Sequence, residues 1–165
     1  MDNNEFTRLV LDAEPTLYHI SKTILKNDHD CADAVQEAII RAFGKINSLK
    51  DKSFFKTWLC RILINECYRI YRFGKRAVSY EEYMKSEQGY TASTETTELY
   101  AVLMKLKEKH RLCVVLHYIE GFKTAEIAVM LKIPEGTVKS RLSKARSELK
   151  QLLNEEEDDY EYKVV

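Results

Sequence analysis

Gly121–Leu153 reads GFKTAEIAVMLKIPEGTVKSRLSKARSELKQLL, and the punctuation of this stretch decides the fold. Gly121 suits the C-terminal cap of a preceding helix. Thr124–Leu131 spaces Ile127, Ala128 and Leu131 for one buried helical face. Lys132-Ile133 is a tight turn, and Pro134 falls where the first turn of a helix tolerates a missing N–H. The helix that follows buries Val138, Leu142, Ala145 and Leu149 and presents Lys139, Ser140, Ser143, Lys144 and Arg146 on its other face. A short helix, a tight turn and a longer basic helix are the proportions of a helix-turn-helix, whose second helix enters the major groove. Lys and Arg donate to guanine edges or neutralise phosphates, and Ser reaches either without crowding the groove. A merely solvated amphipathic helix has no need for turn, proline and polar face to coincide.

Upstream, helical spacing continues and strict apolar–polar alternation is missing. Leu17, Ile20, Ile24 and Leu25 fall on one helical face. Val35, Ala38, Ile39, Ala42, Phe43 and Ile46 form a longer stripe, with Asp28, Asp30 and Asp33 at its start to cap free N–H groups and oppose the dipole. A third helix runs from Phe54 to about Phe73. From Gly74 to about Thr96 the pattern lapses into the polar run SEQGYTASTETT (86–97), with a short helical turn predicted around Tyr80–Met84. Periodicity returns with Leu99, Val102, Leu103 and Leu106, then with Leu112, Val115, Leu116 and Ile119. The fold class is therefore all-α. Two small helical domains, residues 1–73 and 97–153, are joined by a flexible linker, 74–96, and the second contains the helix-turn-helix; an acidic tail, 154–165, follows.

The 165 residues contain 26 basic and 26 acidic side chains, a balance that at first argues against a polyanionic partner. Resolved by segment, it does the opposite. Residues 41–76 hold ten basic against two acidic residues (+8), and residues 121–153 hold seven against three (+4), whereas 2–40 and 154–165 each sum to −5. Two candidate polyanion-binding faces sit on one neutral chain. No apolar run is long enough to span a bilayer, and the acidic start Met1-Asp2-Asn3-Asn4-Glu5 has the wrong sign for a secretory signal, so a cytoplasmic location is expected. Cys31, Cys60, Cys67 and Cys113 form no CxxC pair and the four histidines are scattered; buried reduced thiols are expected, with no metal and no cofactor.

Within the first basic block, Ser53–Phe73 (SFFKTWLCRILINECYRIYRF) interleaves Phe54, Phe55, Trp58, Tyr68, Tyr71 and Phe73 with Lys56, Arg61, Arg69 and Arg72. A core helix does not need four cations, and an electrostatic face does not need six aromatics. Single-stranded DNA wants both, cations for phosphates and planar groups or a pocket for unstacked bases. Phe55, Trp58 and Ile62 also suit a core, the simpler reading for Trp58.

On these residues the chain resembles the extracytoplasmic-function sigma factors, the small promoter-recognition subunits of the bacterial sigma-70 family. Ile133–Leu149 (IPEGTVKSRLSKARSEL) is similar to their region 4 recognition helix, and Leu106–Leu131 to the rest of that domain. The resemblance implies −35 duplex contacts by Lys139, Ser140, Ser143 and Lys144, with backbone contacts by Arg141 and Arg146. Lys132 stands where members often carry Gly, at a cost of about 1 kcal/mol if its φ is positive. Asp30–Phe43 (DCADAVQEAIIRAF) resembles region 2.2, which implies that Asp33, Gln36, Glu37 and Arg41 form a docking face for the clamp of core RNA polymerase. From that segment alone, an ordinary surface helix accounts for the pattern equally well.

Ser53–Phe73 resembles regions 2.3 and 2.4, implying that Lys56, Trp58, Arg61, Arg69 and Arg72 contact the −10 element. A flipped base would enter a pocket formed by the loop Asn47–Lys52 with Leu49, Ile62 and Asn65. Asn65 both donates and accepts and so can discriminate a base edge. Leu49 stands where many members have an aromatic residue. The implied partners are core polymerase through its clamp and flap elements, duplex and single-stranded promoter DNA, and an anti-sigma factor, often membrane-anchored. A stand-alone helix-turn-helix regulator with a helical sensor or dimerisation domain is the alternative, but leaves the basic–aromatic block unexplained. An enzyme is not indicated, since no Gly-rich phosphate loop, HExxH or nucleophile–base order is present.

Overall fold

The computed structural model describes the backbone of residues 1–77 and 94–164 and, within them, the side chains of 1–74 and 98–155. Three helices form the first domain: α1 (Asn3–Leu25), α2 (Asp28–Gly44) and α3 (Phe55–Ala77). Asp2 caps α1 by accepting from the Glu5 N–H at 2.8 Å. The cap of α2 is Asn27, which accepts from the Asp30 N–H at 2.8 Å; of the aspartates predicted for that role, Asp28 and Asp30 occupy the first turn and Asp33 the second. Between α1 and α2 the chain turns at Lys26, φ 66°, and Lys22 Nζ pins the turn by donating to the Lys26 carbonyl (3.1 Å) and to Asp28 (2.7 Å).

The three helices pack pairwise around Leu17, Ile20, Ile24, Leu59 and Leu63, all at most 2 % exposed. Ala34, Ala38 and Ala42 recur every fourth residue and let α2 lie close to its neighbours. Phe43, placed by its spacing on the buried stripe, is instead half exposed and meets Phe6 edge-on, with centroids 5.3 Å apart. Two 3₁₀ turns, Ile46–Ser48 and Lys52–Phe54, join α2 to α3, so α3 starts at Phe55 rather than Phe54 and ends four residues beyond the predicted Phe73. Asp51 organises the second turn by accepting from both the N–H and the hydroxyl of Ser53.

The second domain comprises α4 (Thr94–Lys105), α5 (Glu108–Val114), α6 (Thr124–Leu131) and α7 (Glu135–Val164). Helical backbone thus occupies both ends of the predicted linker; the predicted turn near Tyr80–Met84 lies outside the described residues. Arg111, 5 % exposed, donates to the Met104 carbonyl at 3.2 Å and so caps the C-terminal turn of α4. α5 continues into a π-helical segment, Val115–Ile119, whose extra residue per turn shifts the phase of the stripe. Val115 and Leu116 stay buried, while Tyr118 and Ile119 emerge at about half exposure.

Gly121 follows at φ 75°, and the Glu126 carboxylate accepts from the Lys123 N–H to start α6. Lys132 takes φ 54°, ψ 46°, the left-handed conformation the tight turn demands, and the Thr124 hydroxyl donates to Glu135 at 2.7 Å to tie the starts of α6 and α7 together. Ile127, Met130, Val138, Leu142 and Ala145 form the buried seam between these helices, with Ala128, Leu131 and Leu149 half buried at its margin. α7 does not stop near Leu153. It carries on as one helix through the acidic stretch to Val164.

The two domains lie against each other. α1 packs on α5 and the π-helical segment, and α3 packs on α6. His19 Nδ1 meets Glu120 at 2.6 Å, the Tyr100 hydroxyl donates to the Lys22 carbonyl at 2.6 Å, and Lys56 Nζ stands 5.4 Å over the Phe122 ring. Among the described residues there is no strand, and no helix is long and apolar enough to cross a membrane.

Candidate nucleic-acid and partner interfaces

The recognition face of α7 is open. Lys139, Ser140, Ser143 and Lys144 are all exposed, and Ser147 and Lys150 extend the same face by one more turn, a continuation readable from the 3.6-residue period. Gly136 leaves the beginning of this face bare, with no atom within 4 Å of the position a Cβ would take. Lys139 has Glu135 at 3.6 Å one turn back, a weak exposed pair. With the Thr124 hydroxyl bond first and Lys139 second, that environment holds the Glu135 carboxyl below its ordinary range. The two flanking arginines differ from these four. Arg146 donates to the Tyr118 hydroxyl at 2.8 Å, a contact made possible by the π-helical phase shift, and stays exposed. Arg141 is half buried beside Cys113 and lines the gap between the domains, so it is not on the open face.

On α3, Asn65, Lys56, Arg69 and Arg72 are exposed, whereas Trp58, Arg61 and Ile62 are half buried, as is Leu49 in the preceding loop. Trp58 packs against Phe55 with centroids 6.0 Å apart, which joins it to the core while part of its ring remains accessible. The aromatic set divides three ways, with Trp58, Tyr68 and Tyr71 half buried. Phe55 is core, whereas Phe54 and Phe73 are 55 % and 62 % exposed at the two ends of the basic stretch. Several cations are already engaged: Arg69 Nε donates to Glu66 at 2.8 Å, Arg72 Nε donates to the Tyr68 carbonyl at 3.2 Å, and Lys56 sits over Phe122. A cavity of about 630 Å³ separates this helix from the second domain, with Asn65, Tyr68, Glu108, Lys132 and Arg141 in its wall. Burial, with Glu108 nearby, pushes the Tyr68 hydroxyl pKa up.

On α2, Asp33, Gln36 and Arg41 are exposed and Glu37 is half buried. Glu37 accepts from Arg41 Nε at 2.9 Å, and Asp33 has His29 at 3.3 Å. His29, Asp30 and Asp33 present oxygens and nitrogen within 4.8 Å of one another, although Asp30 already accepts from the Asn27 amide. The apolar member of this surface is Ile40, 59 % exposed among Gln36, Glu37 and Arg41. It follows Ile39, which turns inward, and only its place on the helical wheel separates the two.

Buried thiols line the interiors of both domains. Burial pushes Cys60 up to about 12 and raises Cys31, Cys67 and Cys113 as well, so all four are inert, neutral core side chains.

A helix-turn-helix with an open basic face, joined to a helical domain that carries exposed cations and aromatics, has the make-up of a two-domain DNA-binding protein. The family described as sigma-70 region 2 matches residues 9–77, and sigma-70 region 4 matches residues 96–149. The ECF RNA polymerase sigma factor EcfG of Rhodopseudomonas palustris is 35 % identical over 149 residues, covering 87 % of this chain and 82 % of that protein. SigW of Bacillus subtilis, also an ECF RNA polymerase sigma factor, is 30 % identical over 178 residues, covering 93 % and 91 %. The sigma factor RpoE of Bartonella quintana, solved in complex with the anti-sigma factor NepR, superposes with a TM-score of 0.74 at 25 % identity, covering 91 % of this chain and 97 % of that one. The chain belongs to the ECF sigma factors of the sigma-70 family, and its function is that of an alternative sigma factor directing promoter-specific transcription.

Proposed function

We propose that this sigma factor divides its work among three surfaces. Asp33, Gln36, Glu37 and Arg41, with Ile40 among them, dock α2 on the clamp of core polymerase. Lys139, Ser140, Ser143 and Lys144 read the −35 duplex from α7, with Arg146 on the flanking backbone. Arg141 reaches the backbone only after the domains part. Lys56, Trp58, Arg61, Arg69 and Arg72 hold the opened −10 strand, and Leu49, Ile62 and Asn65 receive one unstacked base. Residues 1–73 thus act on polymerase and the −10 element, 74–96 connect, and 97–153 read the −35 element. The protein works in the cytoplasm, without a cofactor or a reaction of its own. An anti-sigma partner, such as NepR for the Bartonella relative, holds it inactive, at the membrane where that partner is anchored there.

The observation that carries this reading is the coexistence of an open recognition face on α7 with exposed Asn65, Arg69 and Arg72 beside exposed Phe54 and Phe73 on α3. A duplex reader alone has no use for the second surface. The packing of α6 on α3 further implies that the free chain is closed and that polymerase separates the domains. Run-off transcription from an unbiased genomic promoter pool, with core polymerase in the presence and absence of the chain, is the test. Chain-dependent transcripts sharing two spaced elements are expected; none from any template overturns the reading.

A further inference from the structure

The first basic block contains two acidic residues, Asp51 and Glu66. Asp51 is spent on the turn before α3, whereas Glu66 sits inside the domain with its side chain 5 % exposed. A carboxylate there loses nearly all its hydration, and an apolar side chain of similar size serves stability as well or better. Glu66 keeps its charge company in a particular way. Oε1 meets Arg41 Nε of α2 at 3.0 Å, and Oε2 accepts from Arg69 Nε of its own helix at 2.8 Å. Arg41 donates its single Nε–H to Glu37 at 2.9 Å, so its contact with Glu66 is an ion pair beside that bond, and Glu37, Arg41, Glu66 and Arg69 form one continuous chain of charges from α2 to α3. Both guanidiniums meet Glu66 through Nε and remain 44 % and 43 % exposed. A guanidinium has five N–H donors, so each retains others for a partner outside the protein.

We propose that Glu66 is a shared positioning residue: its two carboxylate oxygens hold Arg41 for polymerase and Arg69 for the opened DNA strand, so that one buried charge aligns both surfaces. The inference rests on the assignment of those two arginines to their partners under the proposed function. It differs from a purely structural role because the two surfaces then depend on the same atom pair. It also differs from simple competition, in which Glu66 withholds Arg69 from phosphate and its removal improves DNA binding.

The test uses the full chain with Glu66→Met, Glu66→Gln, Arg41→Ala and Arg69→Ala, and the two double variants that combine each Arg change with Glu66→Gln. Affinity for core polymerase is read by anisotropy of the labelled chain. Binding of the reconstituted holoenzyme to a fluorescein-labelled mixed-sequence single-stranded DNA is read alongside. Arg41→Ala is expected to lower only the first and Arg69→Ala only the second, each about tenfold, the scale of one charge-assisted hydrogen bond. Both Glu66 variants are expected to lower both, with melting temperature preserved in Glu66→Met, and each Arg change is expected to cost under about twofold more in the Glu66→Gln background. Unchanged affinities, tighter DNA binding, or fully additive Arg effects in that background overturn the inference. If Glu66→Met fails to fold, the Glu66→Gln cycle decides alone. The unmodified chain runs in the same assays; if it binds neither core nor DNA, the functional assignment fails, whatever the variants do.

Discussion

The two helices assigned to DNA differ in how their charges are kept. On α7, Lys139, Ser140, Ser143 and Lys144 point from an open face and depend on little besides the helix itself, with one weak partner at 3.6 Å. On α3, Arg69 answers to a buried carboxylate, Arg72 to a backbone carbonyl and Lys56 to an aromatic ring of the other domain. Duplex DNA is a rigid ligand of known groove width, and a preformed face suits it. An opened strand must be stabilised only after unpairing, and a surface whose cations are set by internal partners meets it with the donors those partners leave free. The contrast teaches that one net charge can be stored in two states, presented and reserved.

The most forceful way to break the contrast is to remove the scaffold of one side. Leu142, 3 % exposed beneath the recognition face, is expected to cost about 3 kcal/mol as Leu142→Ala. Because α6 packs on α3, urea unfolding followed by near-UV dichroism and by Trp58 fluorescence should shift together. Movement of the first signal alone shows that the reserved surface does not lean on the presented one.

Alkali probes the opposite side. The first domain holds Cys31, Cys60 and Cys67, and burial raises the Cys60 thiol from its ordinary 9.0 to about 12. A folded-state pKa above the unfolded value means stability is complete below pH 9 and falls as pH rises toward 12, on the order of 2 kcal/mol by pH 10.5. Cys60→Val should make the urea midpoint fall less steeply with pH over that window, Cys31 and Cys67 accounting for the slope that remains, and an unchanged slope rules out this thiol as a cause.

Lys144→Ala sharpens the comparison on the presented face. A loss of about 1 kcal/mol in duplex binding by holoenzyme is expected, with the slope of log affinity against log salt reduced by roughly 0.9. Binding to single-stranded DNA should hardly change; an equal loss on both ligands contradicts the division of labour. The smallest effect lies at the turn between α6 and α7. Lys132 occupies the left-handed region at φ 54°, so Lys132→Gly is expected to gain about 0.5 kcal/mol, strain relief outweighing the added chain entropy. A lower denaturation midpoint overturns that assignment.

Much of this was legible in the residues, and for stated reasons. Thr124–Leu131 was bounded by Gly121 and by the tight turn at Lys132-Ile133, so its limits could be read directly, whereas Glu126 as its capping partner was seen only in the structure. The positive φ at Lys132 was raised only as a condition, by the resemblance to a family that often carries Gly there, and the structure meets it. Other features depend on contacts distant in sequence. Arg141 sits on the flank of α7 that faces α3 across the cavity, a flank no local pattern distinguishes from the open one. Phe43 and Ile119 fit their stripes, but tertiary edges and a π-helical residue set their exposure. Glu66 is one of two acids in a basic block and nothing in the sequence singled it out; only the approach of α2 to α3 places it between Arg41 and Arg69. The start of α2 was read correctly as acidic, yet Asn27, one residue upstream, makes the cap.

The unbroken course of α7 has a kinetic consequence. Its 30 residues make a rod of about 45 Å, at ~1.5 Å per residue, with the recognition lysines near one end and six acidic residues from Glu155 to Glu161 near the other. The separation between Lys139 and Lys144 and those acids, about 16–33 Å along the axis, exceeds a Debye length of ~8 Å at physiological salt. The acidic end therefore leaves the contacts of Lys139 and Lys144 with DNA nearly untouched. What it changes is the direction of arrival: at low ionic strength the rod turns its basic end toward the duplex and its acidic end away, so fewer encounters are wasted.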